Sequence, residues 1–300
     1  MIETINACAP GTVIELGDQR VEPFNLRGAQ FDPPITLRGG RFTCPSETDR
    51  CFRFDKCSGL HFEGGIVEGT DRTAGAILVD QGSNIAFRNM TFRGLKHGIA
   101  HRGVDGFEVS DCTFSDMRID AIRGGGSSRV LIARNQATDF FPIATGGTGD
   151  HPDFIQFWPL HGYTDNDDIT VIDNVFIRGD GLPVQGIFVR GDYPDRPCFG
   201  RVRVCGNRIE GGLRNGISVS GASGGEIAGN VIISHEDCLS ALRISNYEGE
   251  VAGNTAKHFI GDVPVAKNTL ANTAPDTEQK EPERIEITLE PGQTLIVTAA

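Results

Sequence analysis

The sequence predicts an all-β fold, a right-handed parallel β-helix (a solenoid of stacked three-strand coils) followed by a small C-terminal β-hairpin. Three observations carry this expectation. A short strand motif of the form Gly-Ile-x-Val recurs along the chain, a second apolar strand motif alternates with it, and asparagines fall at one fixed place in the repeat. A unit of this kind cannot bury its apolar face alone, so neighbouring units stack and share one continuous core.

Pro10 to Leu16 reads as the first strand. One motif then runs Ile85 to Phe92 and Phe107 to Phe114, and returns at Val130, Ile169, Val202 and Val251. The other appears as Ala76–Val79, Gly98–His101, Ala121–Gly124, Phe154–Phe157, Gly186–Val189, Gly216–Val219 and Ala241–Ile244. Its Ile or Leu falls at 77, 99, 122, 155, 187, 217 and 242, with successive spacings of 22, 23, 33, 32, 30 and 25. The shorter spacings fit a coil of three short strands, and the longer ones place insertions in the middle coils as loops on one face. Aligning the first motif puts Asn135, Asn174, Asn207, Asn230 and Asn254 at one corner, where asparagine tolerates a left-handed backbone and pairs its amide with adjacent coils. This resembles the asparagine ladder of parallel β-helix proteins and is read as structural. The solenoid is expected over 1–262, a linker over 263–284 containing the polar run 273–284, and a hairpin around Pro291-Gly292 over 285–300. The hairpin would cap the open solenoid end or touch a neighbouring subunit.

Composition limits the functions available. Glycine supplies 39 of 300 residues, which disfavours long helices. A net charge of −12 with no basic run excludes a nucleic-acid footprint and repels a polyanion unless a local patch or a metal compensates. No apolar stretch approaches the roughly 20 residues of a membrane span. Residues 1–13 lack a basic start and apolar core, so either a secretory leader was removed or the protein leaves the cell by another route. The eight cysteines match no zinc spacing; Cys44, Cys51 and Cys57, or Cys198 and Cys205, sit close enough for a disulfide, with buried free thiols the equal alternative.

Alternation along a strand sets the candidate site. With the repeated Ile and the residue two later facing inward, the positions around them build outward columns from coil to coil. One column reads His97, Asp120, Asp153, Gln185, Asn215; the next Ala100, Arg123, Gln156, Phe188, Ser218, Arg243; the third Arg102, Gly125, Trp158, Arg190, Ser220. This face concentrates acids, amides, guanidiniums and the single Trp, and the insertions 141–152, 159–168 and 193–200 are placed to wall a groove over it. Asp120 and Asp153 would otherwise cap turns, His151 would be a loop histidine, and Arg123 and Arg190 surface ion pairs. Trp158, outward by its phase, suits sugar stacking. His97, His161, Asp192 and Asp195 are weaker candidates, and Asp165 to Asp168 is read as a loop before a strand rather than a calcium site.

The segment Gly149-Asp-His-Pro-Asp-Phe-Ile-Gln-Phe-Trp158 resembles one in bacterial right-handed β-helix proteins of the polysaccharide lyase and C5-epimerase type. The epimerases carry Asp-Pro-His-Asp/Glu on the active-site strand; here Asp150-His151-Pro152-Asp153 has His and Pro exchanged. The resemblance, over residues 10 to 260, implies a polysaccharide partner, an acidic (uronate) glycan as substrate, and removal of the proton beside its carboxylate. In that reading Asp153, Asp120, His151 and Arg190 are catalytic, with His151 the base and Arg190 or Tyr163 the proton donor. Gln156, Trp158, Arg123, Phe188 and Gln185 hold the sugar, and Asp120 with Asp153 hold Ca2+ if a metal is used. Two alternatives stand: a glycoside hydrolase with Asp120 and Asp153 as its carboxylate pair, and a phage tailspike-like or surface protein that grips glycan without catalysis. All three place the protein outside the cell or on a virion; the last is expected to be a homotrimer.

Overall fold

The computed structural model describes residues 1–143, 149–191 and 197–272, together with the strands Arg284–Leu289 and Gln293–Thr298. Twenty-eight strands join one continuous sheet system in which every pairing is parallel and links strand n to a strand one coil on. A representative coil consists of Gly75–Asp80, Ser83–Arg88 and Thr91–Arg93, and the next of His97–Arg102, Asp105–Ser110 and Thr113–Met117. The parallel ladders satisfy each strand's backbone from the coils on either side, so the chain needs almost no helix.

The repeated aliphatic positions stack in one column. Ile77 pairs with Ile99, Ile99 with Ile122, Ile122 with Ile155, Ile155 with Ile187, Ile187 with Ile217 and Ile217 with Leu242. The column continues to Phe52 and Phe24 at one end and Phe259 at the other. In-register repetition lines up aromatic rings between coils: Phe62 stacks on Phe87 at 5.0 Å and Phe92 on Phe114 at 4.8 Å, while Phe54 stacks on Phe62 at 5.2 Å within one coil. The two separations between coils match the ~4.8 Å strand spacing, so each of those rings covers its neighbour's face.

The asparagine ladder forms. Asn135 Nδ2 donates to Asn174 Oδ1, Asn174 to Asn207, Asn207 to Asn230, and Asn230 to Asn254, at 2.8–3.0 Å. It extends to Asn268, and at its other end the Cys112 backbone N–H donates to Asn135 Oδ1. Val251 lies opposite Ile227, two positions past the alignment expected from Val202.

The termini differ from expectation in detail. A short helix, Ile2–Ala7, precedes the first strand and buries Ile5 against the solenoid's first coil, and that strand runs Val13–Val21. The solenoid continues past residue 262, since Thr269–Leu270 still pairs with Thr255–Ala256. Arg284–Leu289 and Gln293–Thr298 pair antiparallel as the expected hairpin. All eight cysteines are free thiols, and Cys44, Cys51, Cys57, Cys112 and Cys198 are buried. No helix among the described residues is long and apolar enough to cross a membrane.

Candidate active site

The outward columns meet in a cleft of about 590 Å³ lined by Lys96, His97, Asp120, Arg123, Asp150, His151, Gln156, Trp158, Phe188 and Arg190, among others. Strand register puts them there: Arg123, Gln156 and Phe188 are directly paired neighbours on successive coils. The described end of the insertion before Asp153 forms one wall. Arg118 holds the Asp150 carboxylate through two hydrogen bonds, 2.8 and 3.0 Å, and the Ile143 N–H donates to the same carboxylate. Those bonds keep Asp150 below the usual carboxylate range although burial opposes this. Residues 144–148 and 192–196, including the candidates Asp192 and Asp195, lie outside the described residues.

The two carboxylates expected on the exposed face are instead buried under it. Asp120 is 1% and Asp153 0% exposed. Asp120 Oδ2 accepts from Arg123 Nη1 at 2.9 Å, and Oδ1 accepts from the Asp153 backbone N–H at 3.1 Å. His97 Nδ1 lies 3.4 Å from Asp120 Oδ2. Asp153 Oδ2 faces His151 Nδ1 at 3.0 Å, while its Oδ1 is buried without a hydrogen-bond partner. Burial, reinforced by the neighbouring Asp120 charge, pushes Asp153 up to about 7, with His151 and Arg123 pulling it down. The hydrogen bond to Asp153 in turn raises His151, and burial holds His97 below the ordinary histidine range.

Gln185 also sits behind the surface rather than in the cleft. Its Nε2 lies 2.8 Å from His151 Nε2, and Asn215 Nδ2 donates to Gln185 Oε1. A chain Asn215–Gln185–His151–Asp153 therefore fixes the imidazole, whose side chain remains 62% exposed. Asn215 Oδ1 is buried and unpartnered in this arrangement. Turning both amides end for end lets Asn215 Oδ1 accept from Gln185 and Gln185 Oε1 accept from a protonated His151 Nε2, so the chain accommodates either charge state of the ring.

Two further expectations are corrected. Tyr163 packs over Gly103 and Gly126, where a Cβ would collide with it, and its hydroxyl donates to Asp80 at 2.8 Å; it does not line the cleft. Arg190 lines the cleft, but a guanidinium keeps its protons in proteins and serves as an anion clamp, not a proton donor. His161 is exposed, and Asn166 in the Asp165–Asp168 segment is buried, accepting from the Ser127 N–H.

The Asp120–Asp153 pair does not fit calcium. Calcium takes 6–8 oxygens, whereas three of these four carboxylate oxygens face Arg123, His151 or a backbone N–H. No cluster of three or more His, Cys, Asp or Glu suited to a metal occurs among the described residues.

Sequence reading missed Lys96, which lines the cleft, and Arg50, which does not line it but whose positive charge acts on His97. Arg50 stands two residues before Phe52, hence in the same column as Gly75, His97 and Asp120. Gly75 has no side chain, and a Cβ there would collide with the Asp49 carbonyl and with the guanidinium of the 10%-exposed Arg50. A glycine interrupting a polar column was the available signal.

Residues 51–193 match the family model described as the right handed beta helix region. No curated protein matches the sequence. Among solved structures, the chain is similar to a polygalacturonase from Erwinia carotovora ssp. carotovora, at 14% identity and a TM-score of 0.51, covering 88% of this chain and 76% of that one. A surface adhesin of Streptococcus pneumoniae covers 98% and 79% at 12% identity and a TM-score of 0.41. An alginate lyase from Paenibacillus sp. covers 85% and 99% at 10% identity and a TM-score of 0.33. The family match, the parallel coil-to-coil pairing and the polygalacturonase likeness agree on the fold alone: the chain is a right-handed parallel β-helix. The chemistry must be argued from the cleft.

Proposed function

We propose that the protein binds an acidic glycan in this cleft and processes it by abstracting the proton beside a uronate carboxylate, as a lyase or an epimerase. The observation that carries the reading is the exposed His151 resting on a buried carboxylate. A base needs an oriented ring and a partner for the imidazolium it becomes; Asp153 supplies both through Nδ1. In the resting cleft Gln185 donates to Nε2. The incoming sugar displaces that bond, His151 takes the C5 proton, and the turned amide then accepts from the new N–H. Arg123 and Arg190 neutralise the carboxylate whose charge grows as the proton leaves, and Trp158 and Phe188 offer flat faces to the sugar ring. In a lyase the electron pair at C5 becomes the C4–C5 double bond as C4–O4 breaks, and O4 takes a proton from water. In an epimerase a proton returns to the opposite face of C5.

The hydrolase reading is less well supported, because its two carboxyls must touch the glycosidic oxygen and the anomeric carbon, whereas Asp153 lies wholly beneath His151. A glycan substrate places the protein outside the cell. The test is incubation with polygalacturonate, alginate and neutral glucans, following ultraviolet absorbance of an unsaturated uronate, reducing ends, and solvent deuterium at C5. Unsaturated products or exchange, lost on His151→Ala, are expected. Reducing ends without unsaturation would establish a hydrolase, and retention on a glycan column without any product a binding protein; either overturns the proposal.

A further inference from the structure

The groove continues past the first cleft. A second cleft of about 410 Å³ shares His151, Phe188 and Arg190 with it and runs on over Ser218, Ser220, Arg243 and Ser245. The same columns build both: Phe188 pairs with Ser218 and Ser218 with Arg243, while Arg190 pairs with Ser220 and Ser220 with Ser245. The character of the lining changes along the way. The first cleft has its aromatic faces and ionised pairs; beyond the shared His151, Phe188 and Arg190 the second adds three serine hydroxyls, two amides and the Arg243 guanidinium.

Arg243 is one of four arginines, with Arg27, Arg102 and Arg214, that have no carboxylate partner among the described residues. Most arginines on the other faces are neutralised by carboxylates: Arg38 by Glu15 and Glu63, Arg88 by Glu108, Arg134 by Asp111. Arg243 is exposed and has no hydrogen bond or ion pair with any described residue. Its in-register neighbours are Ser218 and Ile260, so neither adjacent coil offers it an acid. In a chain of net charge −12, an uncompensated guanidinium at the floor of a hydroxyl-lined cleft points to an anion from outside. A planar carboxylate on a hydroxyl-rich ring is the partner that both features match, through paired N–H···O bonds to the guanidinium and serine contacts to the ring hydroxyls.

We propose that the second cleft is a separate subsite for another uronate of the same glycan, with Arg243 reading its carboxylate. The inference rests on the acidic-glycan reading above and adds the direction and length of the bound chain. Arg123 and Arg243 lie four coil steps apart in one column, about 19 Å at ~4.8 Å per step, farther than one sugar reaches. The glycan therefore runs along the solenoid axis, and only a chain several sugars long engages both guanidiniums.

The experiment compares the intact protein with Arg243→Ala and Arg243→Lys on oligogalacturonates and oligoguluronates from disaccharide to octasaccharide. The measured quantity is the preference for long over short chains, from KM and from binding by calorimetry. Because the position is exposed, the variants should melt with the wild type, which a thermal scan checks. Arg243→Ala is expected to lower the long-chain preference about tenfold, chiefly through KM, and Arg243→Lys to restore part of it. If the wild type handles acidic oligomers and Arg243→Ala keeps the wild-type length preference, the second subsite is wrong and the first cleft's reading stands. If the wild type neither binds nor alters any acidic oligomer, the functional reading fails and this inference falls with it.

Discussion

Replacing Asp153 by Asn tests the buried carboxylate in both stability and activity. The substitution keeps shape and removes one titrating group from a site that is 0% exposed. In the folded protein Asp153 titrates at about 7, against an ordinary value of 3.8. The folded chain thus keeps a proton that the unfolded chain has lost across that window, and unfolding becomes easier as pH rises through it. The contribution is fully present below about pH 4 and lost above about pH 7, at ~1.4 kcal/mol per unit, so about 3 kcal/mol should go between pH 5 and 8. His151, raised by the same contact, acts in the same direction: its contribution is present below the ordinary histidine value and lost as pH rises through its folded one. Urea titrations of the two proteins at pH 5 and pH 8 should therefore show the wild type losing about 3 kcal/mol relative to Asp153→Asn. On a substrate that the wild type turns over, the variant should lose about 10²–10⁴-fold in kcat, because His151 loses the partner for its imidazolium. Parallel pH–stability curves would refute the burial argument, and undiminished turnover would refute the His151–Asp153 assignment.

Asn174→Ala removes the second rung of the ladder and leaves the Asn135 N–H and the Ile132 carbonyl without their side-chain partners. A loss of about 3–5 kcal/mol is expected by denaturant titration, against less than ~0.5 kcal/mol for the exposed strand residue Asn25→Ala. Trp158→Ala should weaken glycan retention about tenfold in affinity electrophoresis with no change in melting temperature, since the ring lines the cleft and is not part of the core. A chelator should leave activity on acidic glycans intact; its complete loss, restored by added calcium, would show that the Asp120–Asp153 environment rearranges around a metal.

The chain's order of residues was enough to place its coils. Stacked parallel strands demand the same residue type at the same step, so the aliphatic column from Ile77 to Leu242 and the ladder from Asn135 to Asn254 appear as periodicities. Strand alternation likewise brought Arg123, Gln156, Trp158, Phe188 and Arg190 to one face, while Asp120, three residues from Arg123, reaches the cleft without following that alternation. The slips occurred where repetition is interrupted, at the two-residue offset of Val251 and at the solenoid's end beyond 262.

Depth within that face was decided only in three dimensions. Alternation says which side of a strand a residue leaves from, not what lies on top of it. Asp153 and His151 are two residues apart, yet the imidazole bends back over the carboxylate, turning an expected substrate contact into a buried partner. Tyr163 was expected beside the reacting sugar, but three coils away Asp80 offers its hydroxyl an acceptor, and Gly103 and Gly126 leave room for the ring on the way. Arg50 fills the gap that Gly75 leaves in a column of polar side chains. The first two of these contacts join residues whose separation along the chain carries no period, and the third needs the size of one side chain beside the absence of another. Sequence therefore determined the coil, the register and the face, while side-chain packing between coils determined which groups on that face are buried and which meet a ligand.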